Sequence, residues 1–458
     1  MFTYRLEAQN GLPLYEALYR HIRQDILSGA LTAGERLPSK RSLAEHLQIS
    51  VMTVETAYHQ LEAEGYLYAL PKRGFFVSAV DHLPTPAAPT AIPPEPEAPK
   101  WHLDLGRNQV DSSRFPAAAW ARLTRQVLSE GNFLAPVPQQ GLYALRQAIA
   151  RDLWDFKGMA VAPEQIVVGA GAEYLYLLLA QLLGANGRTV FAVEEPGYGK
   201  IRKIYAAGGV QTVSAAMDDR GVIPESLGSA DVLHISPSHH FPTGIVTPVS
   251  RRRELLDWAN RGEKWIIEDD YDSEFRFDAH PVPAMQSLDD GGRVIYMNSF
   301  SKSLAPSIRI SYMVLPAGLM AAFQQKLGFY SCTVPSFEQY TLARFIGRGF
   351  FEKHINRMRK FYKSRRNTVV SLLENCSFSH KLTIQEQDAG LHFLLNVDTS
   401  LSDQSLTEKL AALGIRVRAL SSYYHDQSED LHCLVINYSG LKEERLAAAL
   451  AAISQEWT

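Results

Sequence analysis

Cysteine is scarce in this sequence, and so are long apolar runs. The three cysteines, Cys332, Cys376 and Cys433, are odd in number and far apart, which argues against a disulfide scaffold and a CxxC-type zinc site. We therefore predict no metal site. No apolar run reaches the roughly 18 residues of a membrane span. The start lacks a basic region followed by an apolar stretch, so no secretion signal is expected. These absences predict a cytoplasmic protein without membrane contact.

An excess of charge of either sign is also absent. The 46 Lys and Arg residues nearly balance the 49 Asp and Glu residues, which gives a formal net charge of −3. Bulk attraction therefore cannot bring the chain to nucleic acid, and such contact requires a local basic patch. With 458 residues, 46% of them hydrophobic, the chain is long enough for a large core and for about two to four domains.

Proline is abundant in one segment. Seven prolines lie between residues 81 and 100, mixed with alanine and small polar residues. Such a composition cannot bury a core and favours an extended, semi-rigid linker. We predict a first domain over residues 1–80, a linker over 81–100 and a second domain over 101–458. A long surface loop within one domain is the alternative.

The first 80 residues show the pattern of three helices followed by a hairpin. The apolar positions of the three helices are Leu14, Leu18, Ile22 and Ile26; Leu43 and Leu47; and Val54, Ala57 and Leu61. Two β-rich pieces, Tyr66–Leu70 and Phe75–Val77, flank a basic tip. This order predicts an α+β winged helix-turn-helix, in which a helix enters the major groove of DNA while basic side chains hold phosphates. A small helical protein-interaction module is the alternative.

The segment Leu31–Val77 resembles the GntR family of bacterial winged-helix regulators, above all in LPSKRSLAEHL (37–47) and EGYLYALPKRGFFV (64–77). That family usually has an arginine at the second position of the recognition helix and often another four residues later, where this chain has Val51 and Glu55. The resemblance implies binding to double-stranded operator DNA. The candidate DNA contacts are Arg36, Ser39, Lys40, Arg41, Thr53, Thr56, Lys72, Arg73 and Gly74.

The rest of the chain alternates short apolar runs with helical patterns, which predicts an α/β domain with a mostly parallel sheet. In QIVVGAGAEYLYLLLAQLL (165–183), a glycine-rich turn before a helix suits an anion, although tight strand–helix turns need glycine anyway. In WIIEDDYDSEF (265–275), the acids can bind a metal, cap a helix or hold a cationic ring nitrogen. In YMNSFSKSLAPSIRISY (296–312), the lysine can form a Schiff base with an aldehyde or be a solvated loop charge.

Together these segments resemble the pyridoxal phosphate site of fold type I aminotransferases, whose lysine motif is similar to SFSKSLAPSIRISY (299–312). The resemblance implies a large α/β part over about residues 140–320 and a smaller α+β part that includes the C-terminus. It places the aldimine on Lys302, the partner of the pyridine nitrogen at Asp269 and the contact to the ring hydroxyl at Tyr271. The implied phosphate ligands are Gly171, Ala172, Glu173, Ser299, Ser301 and Arg309, and the implied stacking aromatic is Tyr198.

The order of winged helix, proline-rich linker and aminotransferase-like domain resembles the MocR subfamily of GntR regulators. SPSHHFPTG (236–244) and FIGRGFFEKHINRMRKFY (345–362) add to this resemblance. It implies a homodimeric, pyridoxal phosphate-dependent transcriptional regulator that senses the cofactor or an amine through Lys302. Vitamin B6 or amino-compound metabolism is the expected target. The alternatives are an aminotransferase with an appended DNA-binding domain and a DNA-binding scaffold whose cofactor fold has decayed. We expect at most weak transaminase activity.

Two positions depart from the aminotransferase pattern. Phe241 stands where those enzymes commonly have an asparagine, and Val435 stands where they have the arginine that binds the substrate carboxylate. Losing such a charge-assisted pair costs about 1.5–3 kcal/mol. Pyridoxal phosphate itself is therefore favoured as the signal, as in PdxR-type members, unless Arg416 or Arg418 substitutes. Lys200 falls where some relatives bind the effector carboxylate. His239 and His240 are interpreted as a packed turn and receive no catalytic role.

Overall fold

The computed structural model describes residues 4, 6, 13–79, 100–108, 110–184, 187–277, 283–385, 389–425 and 429–457. The chain divides into two compact units, Met1–Ala98 and Pro99–Thr458. The linker predicted for residues 81–100 lies, apart from Lys100, outside the described residues. Within the described ranges, no helix is both long enough and apolar enough to cross a membrane.

The first unit contains three helices and a two-stranded antiparallel hairpin: α1 Leu14–Ser28, α2 Lys40–Leu47, α3 Val51–Ala63, β1 Leu67–Leu70 and β2 Gly74–Val77. This is the predicted order of elements. One expectation for the core is wrong: Leu14 is 40% exposed, because it is the first residue of α1 and the buried stripe begins one turn later, at Leu18.

Serine side chains define where the second and third helices begin. The Ser39 hydroxyl accepts a hydrogen bond from the Ser42 amide at 3.2 Å at the start of α2, and Ser50 does the same for the Thr53 amide at 3.1 Å at the start of α3. Each bond satisfies an amide that has no partner inside its helix. These caps fix the short turn between the two helices.

The second unit contains the remaining helices and strands. In chain order they are β3 Leu103–Asp104, α4 Ala117–Glu130, α5 Tyr143–Lys157, β4 Ile166–Gly169, α6 Ala172–Gly184, β5 Val190–Glu195, α7 Gly199–Ala207, β6 Gln211–Asp218, β7 Gly221–Val222, β8 Val232–Ile235, α8 Val249–Arg261, β9 Trp265–Asp269, β10 Val294–Ser299, α9 Phe300–Ser303, β11 Ser311–Val314, α10 Ala317–Leu327, α11 Ser336–Gly347, α12 Phe350–Glu374, β12 Leu382–Gln385, β13 His392–Val397, α13 Asp403–Ala412, β14 Ile415–Arg416, β15 Arg418–Ala419, β16 Cys433–Asn437 and α14 Glu443–Trp457.

Eight of these strands form one mixed sheet in the order β4-β11-β10-β9-β8-β5-β6-β7. The five central strands from β10 to β6 run parallel, whereas β11 is antiparallel to both β10 and β4, and β7 is antiparallel to β6. The strands from β8 to β10 are almost entirely buried, as expected for a parallel sheet covered on both faces.

The smaller part of this unit combines both ends of its chain. Four strands form an antiparallel sheet in the order β12-β13-β16-β15, and β3 pairs in parallel with β14. Leu103 and Leu105 therefore share a core with residues of α12 and α14, such as Val369 and Leu450.

Candidate cofactor site and DNA-binding surface

The residues predicted to form a cofactor site follow neighbouring strands of the large sheet. Asp269 ends β9, Ser299 ends β10, and Tyr198 lies three residues after the end of β5. Strands β10, β9, β8 and β5 are adjacent and parallel, so their carboxyl ends meet at one edge. This edge is where open α/β sheets bind ligands.

Lys302 lies in the one-turn helix α9 directly after β10. Its Nζ donates a hydrogen bond to the Asn108 carbonyl oxygen. Burial lowers the pKa of Lys302 to about 8, although the Asp272 carboxylate opposes the shift. An amine with this pKa is uncharged in about one molecule in ten at pH 7, far more often than an ordinary lysine, and only the uncharged form can attack a carbonyl carbon.

Asp269 is 6% exposed and contacts other polar side chains near the carboxyl edge of the sheet. Its Oδ2 accepts a hydrogen bond from the Tyr176 hydroxyl and lies 3.6 Å from His234 Nε2. His234 Nδ1 lies 2.6 Å from the Tyr205 hydroxyl. Burial and the nearby Asp269 charge raise the pKa of Tyr176 well above its ordinary value, so Tyr176 keeps its proton for the carboxylate.

The turn between β4 and α6 approaches the Arg309 guanidinium closely. Gly171 has φ +97°, and a Cβ built on it would lie 2.7 Å from Arg309 Nη2. Arg309 Nη2 lies 3.4 Å from the Ala170 carbonyl oxygen and 3.8 Å from Glu173 Oε2. Lys200 forms an ion pair with the other Glu173 oxygen. The predicted effector ligand Lys200 and the predicted phosphate ligand Arg309 thus share one carboxylate.

The two predicted phosphate-binding serines stabilise the start of α9. The buried Ser299 hydroxyl accepts a hydrogen bond from the Ser301 amide at 3.2 Å and another from the Ser311 hydroxyl at 2.8 Å. Both acceptor positions of Ser299 are therefore used within the protein, and its own proton remains available for an anion.

Sequence reasoning missed a cluster beside Tyr271. His239 Nδ1 lies 3.0 Å from Asp272 Oδ2 and 3.4 Å from the Tyr271 hydroxyl, and the His239 ring is 4.6 Å from that of His392. Donor atoms of His239, Asp272 and His392 all lie within 4.8 Å of one another. The sequence-based interpretation of His239 as a packed turn accounts for its burial but not for its place next to Tyr271.

An apolar wall surrounds Val435, the residue predicted to stand in place of the carboxylate-binding arginine. Val435 is completely buried in a cluster with Leu394, Leu420 and Cys433, and Phe241 packs against it. The Tyr198 ring, 46% exposed, meets Phe241 edge-on at 6.2 Å.

The two arginines proposed as substitutes differ. Arg416 forms an ion pair with Asp104 at 3.5 Å. The exposed Arg418 is paired across the strands with Val435, and its guanidinium lies 6.0 Å from the Tyr423 ring. Arg418 is therefore the candidate substitute that lies beside Val435.

In the first unit, several predicted DNA contacts have partners inside the unit. Lys40 Nζ lies 2.5 Å from Glu55 Oε1, and Ser39 caps α2. Thr53 is bonded to Ser50, and the Thr56 hydroxyl donates to the Met52 carbonyl oxygen at 2.9 Å. The remaining predicted contacts, Arg36, Arg41, Lys72, Arg73 and Gly74, are exposed.

Comparisons with known proteins match both units. Residues 99–453 match the aminotransferase class I and II family, and residues 14–77 match the gntR family of bacterial regulatory proteins. The chain is 37% identical to the HTH-type transcriptional regulator YdeL of Bacillus subtilis, covering 97% of both chains. It is 30% identical to the probable rhizopine catabolism regulatory protein MocR of Rhizobium meliloti, covering 98% of this chain and 94% of that one. The chain belongs to the MocR subfamily of GntR-type transcriptional regulators.

This MocR-type regulator is also 31% identical to the pyridoxine biosynthesis transcriptional regulator PdxR of Corynebacterium glutamicum, covering 95% of this chain and 94% of that one. Among solved structures, an archaeal alanine:glyoxylate aminotransferase superposes with a TM-score of 0.69 at 23% identity, covering 78% of this chain and 91% of that one. The predicted fold class, a winged helix-turn-helix followed by a fold type I aminotransferase-like domain, is confirmed.

The class I and II aminotransferase fold binds pyridoxal phosphate, and the described residues of this regulator are compatible with that cofactor. A lysine of lowered pKa, a buried carboxylate and a glycine turn against an arginine follow the strands at one edge of the sheet. These groups match the aldehyde, the ring nitrogen and the phosphate in chemical type.

Proposed function

We propose that this transcriptional regulator binds pyridoxal phosphate covalently through Lys302 and changes its DNA binding in response. Bound pyridoxal phosphate supplies an aldehyde for an amine and an electron-withdrawing ring. The observation that carries the proposal is Lys302 itself, which follows β10 at the ligand-binding edge of the sheet and whose pKa is lowered by burial to about 8.

The neighbouring side chains orient the cofactor in this proposal. The Asp269 carboxylate holds a proton on the ring nitrogen, and Tyr176 fixes the orientation of Asp269. Tyr271 contacts the ring hydroxyl, and Tyr198 stacks on the ring. The phosphate is held by amides of Gly171, Ala172 and Glu173 at the start of α6, together with Ser299, Ser301 and Arg309. Because Glu173 already pairs with Lys200 and Arg309, its carboxylate would have to release Arg309 for this arginine to hold the phosphate.

The apolar wall favours the cofactor itself as the signal. Val435 is completely buried among apolar side chains, so this position offers no charge to an amino acid carboxylate. Lys200, which could replace that charge, is paired with Glu173. We therefore favour a sensor of vitamin B6 status over a sensor of an amino acid, and Arg418 is the residue that would reverse this preference.

A homodimer completes the proposal. Two winged helices related by two-fold symmetry match paired DNA half-sites. The second unit exposes large apolar side chains, with Leu134 80% and Phe329 77% exposed in a single chain. Covering such residues favours association. Light scattering of the purified protein measures the oligomeric state directly.

The alternative is an aminotransferase with an appended DNA-binding domain. Lys302, Asp269 and Tyr271 suit that chemistry, but the buried Val435 removes the carboxylate partner on which efficient amino acid turnover depends. Sustained conversion of an amino donor and a keto acceptor by the purified protein would favour this alternative.

The decisive experiment measures binding of the full-length protein to the DNA upstream of its own gene. Pyridoxal phosphate is present or absent, no amino acid is added, and salt is constant because DNA affinity depends steeply on it. We expect the cofactor alone to change the affinity or the footprint. Bound cofactor that leaves DNA binding unchanged would contradict the vitamin-sensor proposal.

A lysine substitution tests the covalent link separately. After borohydride reduction, wild-type protein should retain the cofactor as a stable mass increase, and Lys302→Ala should lose it. Lys326→Ala is the matched control, because Lys326 Nζ bonds the Leu182 carbonyl oxygen on another part of the unit. Trapping that persists in Lys302→Ala would assign the link to another amine.

A further inference from the structure

An apolar surface lies at the start of α3, the recognition helix of the winged helix-turn-helix. Val51 is 42% exposed and Met52 is 69% exposed, although both are large apolar side chains. We propose that Val51 and Met52 recognise thymine by contacting its C5-methyl group in the major groove. The proposal goes beyond DNA binding as such, because it names which base this regulator reads and how.

The polar side chains at the start of the same helix, Thr53, Glu55 and Thr56, already have partners within the first unit. Thr53 is bonded to the Ser50 hydroxyl at 2.8 Å, and the Thr56 hydroxyl donates to the Met52 carbonyl oxygen. The carboxylate of Glu55 is neutralised by Lys40 at 2.5 Å, and this contact is the main reason that the pKa of Glu55 is lowered. Val51 and Met52 are thus the apolar side chains exposed at the start of α3, and neither can donate a hydrogen bond through its side chain.

Basic side chains flank this surface and match the charge of DNA. Arg41 is exposed on α2, and Lys72 and Arg73 are exposed in the turn between β1 and β2. No hydrogen bond or ion pair engages these three side chains within the described residues of the first unit. Phosphate contacts position a protein on the duplex but carry no sequence information. These cations therefore supply affinity and leave sequence discrimination to α3.

The chemistry of the base edges indicates which base contacts the apolar surface of Val51 and Met52. Of the four bases, only thymine presents an apolar group, its C5-methyl, in the major groove. A flexible methionine side chain adapts to such a methyl group. A cytosine or guanine opposite Val51 and Met52 would instead leave polar base atoms against apolar side chains.

The experiment measures the contribution of the thymine methyl group to DNA affinity. Operator DNA is first selected from a random pool with the full-length protein, and each thymine is then replaced by deoxyuridine, which removes the methyl but keeps the base pair. We expect that replacing one or two particular thymines in each half-site weakens binding about fourfold, which is the effect of losing one buried methyl group. The other thymines should have no effect.

Substitutions at Met52 test whether this side chain contacts the thymine methyl group. Met52→Ala should weaken binding to thymine DNA about fivefold and abolish the deoxyuridine effect at the contacted positions. Met52→Leu, which stays apolar, should keep that effect. Arg73→Ala is the matched control and should weaken thymine and deoxyuridine DNA equally, with a salt slope reduced by about one.

Three results would overturn the proposal. The selected half-site could lack a thymine that responds to deoxyuridine. Met52→Ala could weaken both kinds of DNA equally, which would make the contact non-specific. Glu55→Ala, rather than Met52→Ala, could relax the selected sequence, which would assign the reading to a carboxylate on cytosine. Circular dichroism checks that each variant retains its helices.

Discussion

The two units of this regulator bury different kinds of side chain. In the described part of the first unit, the buried side chains belong to the hydrophobic class, such as Leu18, Val54 and Tyr58. Among its described residues, the second unit buries 26 polar or charged side chains, all between Arg146 and Ser439. A buried polar group costs free energy unless it is bonded. The first unit is therefore stabilised by apolar area, whereas the second also depends on individual polar contacts that hold its candidate site.

The buried charges of Arg252 and Glu268, the residue before Asp269, illustrate this dependence on polar contacts. Arg252 is fully buried and donates to the carbonyl oxygens of Thr247, Pro237 and Pro283 at 2.6–2.8 Å. It also lies 3.8 Å from the buried Glu268, which accepts amide hydrogen bonds from the segment after β9. One arginine thus joins α8, the loop after β8 and the end of β9.

The largest expected effect comes from removing that arginine. Arg252→Leu should destabilise the second unit by about 3–5 kcal/mol, the usual consequence of leaving a buried charge without its partner. All six tryptophans lie beyond residue 100, so tryptophan fluorescence during urea unfolding reports on the second unit alone. Arg253→Leu, exposed on the same helix, is the control and should change the unfolding free energy by less than about 0.5 kcal/mol. A loss of unfolding free energy below about 1 kcal/mol for Arg252→Leu would contradict the dependence of the second unit on individual polar contacts.

A smaller effect is expected at the glycine turn. In Gly171→Ala, the new Cβ would lie 2.7 Å from Arg309 Nη2 at a φ of +97°, so Arg309 must move. We expect pyridoxal phosphate to bind about 10- to 100-fold more weakly, equivalent to about 1.4–2.8 kcal/mol. Gly209→Ala has a similar backbone strain, φ +76°, but no atom within 4 Å of the new Cβ. Equal losses in both variants would show that strain, rather than the approach of Arg309, limits binding.

The sequence predicts the elements and their order better than it predicts the contacts between side chains. Helix order, the hairpin and the strands before Lys302 and Asp269 follow from local periodicity and motifs, which neighbouring residues encode. The contacts of His239 with Asp272 and of Glu173 with Lys200 join segments 33 and 27 residues apart. No local pattern records such pairings, because the topology of the sheet creates them. In the first unit, the prediction of Thr53 and Thr56 as DNA contacts did not foresee that the Thr53 hydroxyl bonds to the N-cap residue Ser50 and that of Thr56 to the Met52 carbonyl oxygen.

A partly buried acid, Asp152, gives the second unit a dependence on pH. Burial, aided by the charge of Glu274, raises the pKa of Asp152 to about 7, whereas its ordinary value is 3.8. The folded state therefore holds this proton more tightly than the unfolded state. The stabilisation is complete below pH 3.8 and is lost as the pH rises through 7.

Asp152→Asn removes this titration. The variant should be more stable than wild type at pH 8, by on the order of 1–2 kcal/mol, and the gain should vanish at pH 4. Asp155→Asn on the same helix, where the side chain is 49% exposed and its charge raises the pKa of Asp152 less than burial does, should show a smaller gain. Urea unfolding at the two pH values, followed by tryptophan fluorescence, measures the difference. A gain that is independent of pH would mean that Asp152 is charged in the folded state at both values.

The smallest expected effect lies in the first unit. Thr56 is exposed on α3, and its hydroxyl proton is already bonded to the Met52 carbonyl oxygen. Thr56→Val keeps the branched shape and removes the hydroxyl. Because that hydroxyl has no proton left to offer a base, we expect DNA affinity to change by less than about twofold, or about 0.4 kcal/mol. The apolar truncation Met52→Ala should be several times more costly on the same operator. A tenfold loss for Thr56→Val would show that the hydroxyl gives up its bond to Met52 to bind a base, and that a polar contact as well as apolar ones reads DNA in the first unit.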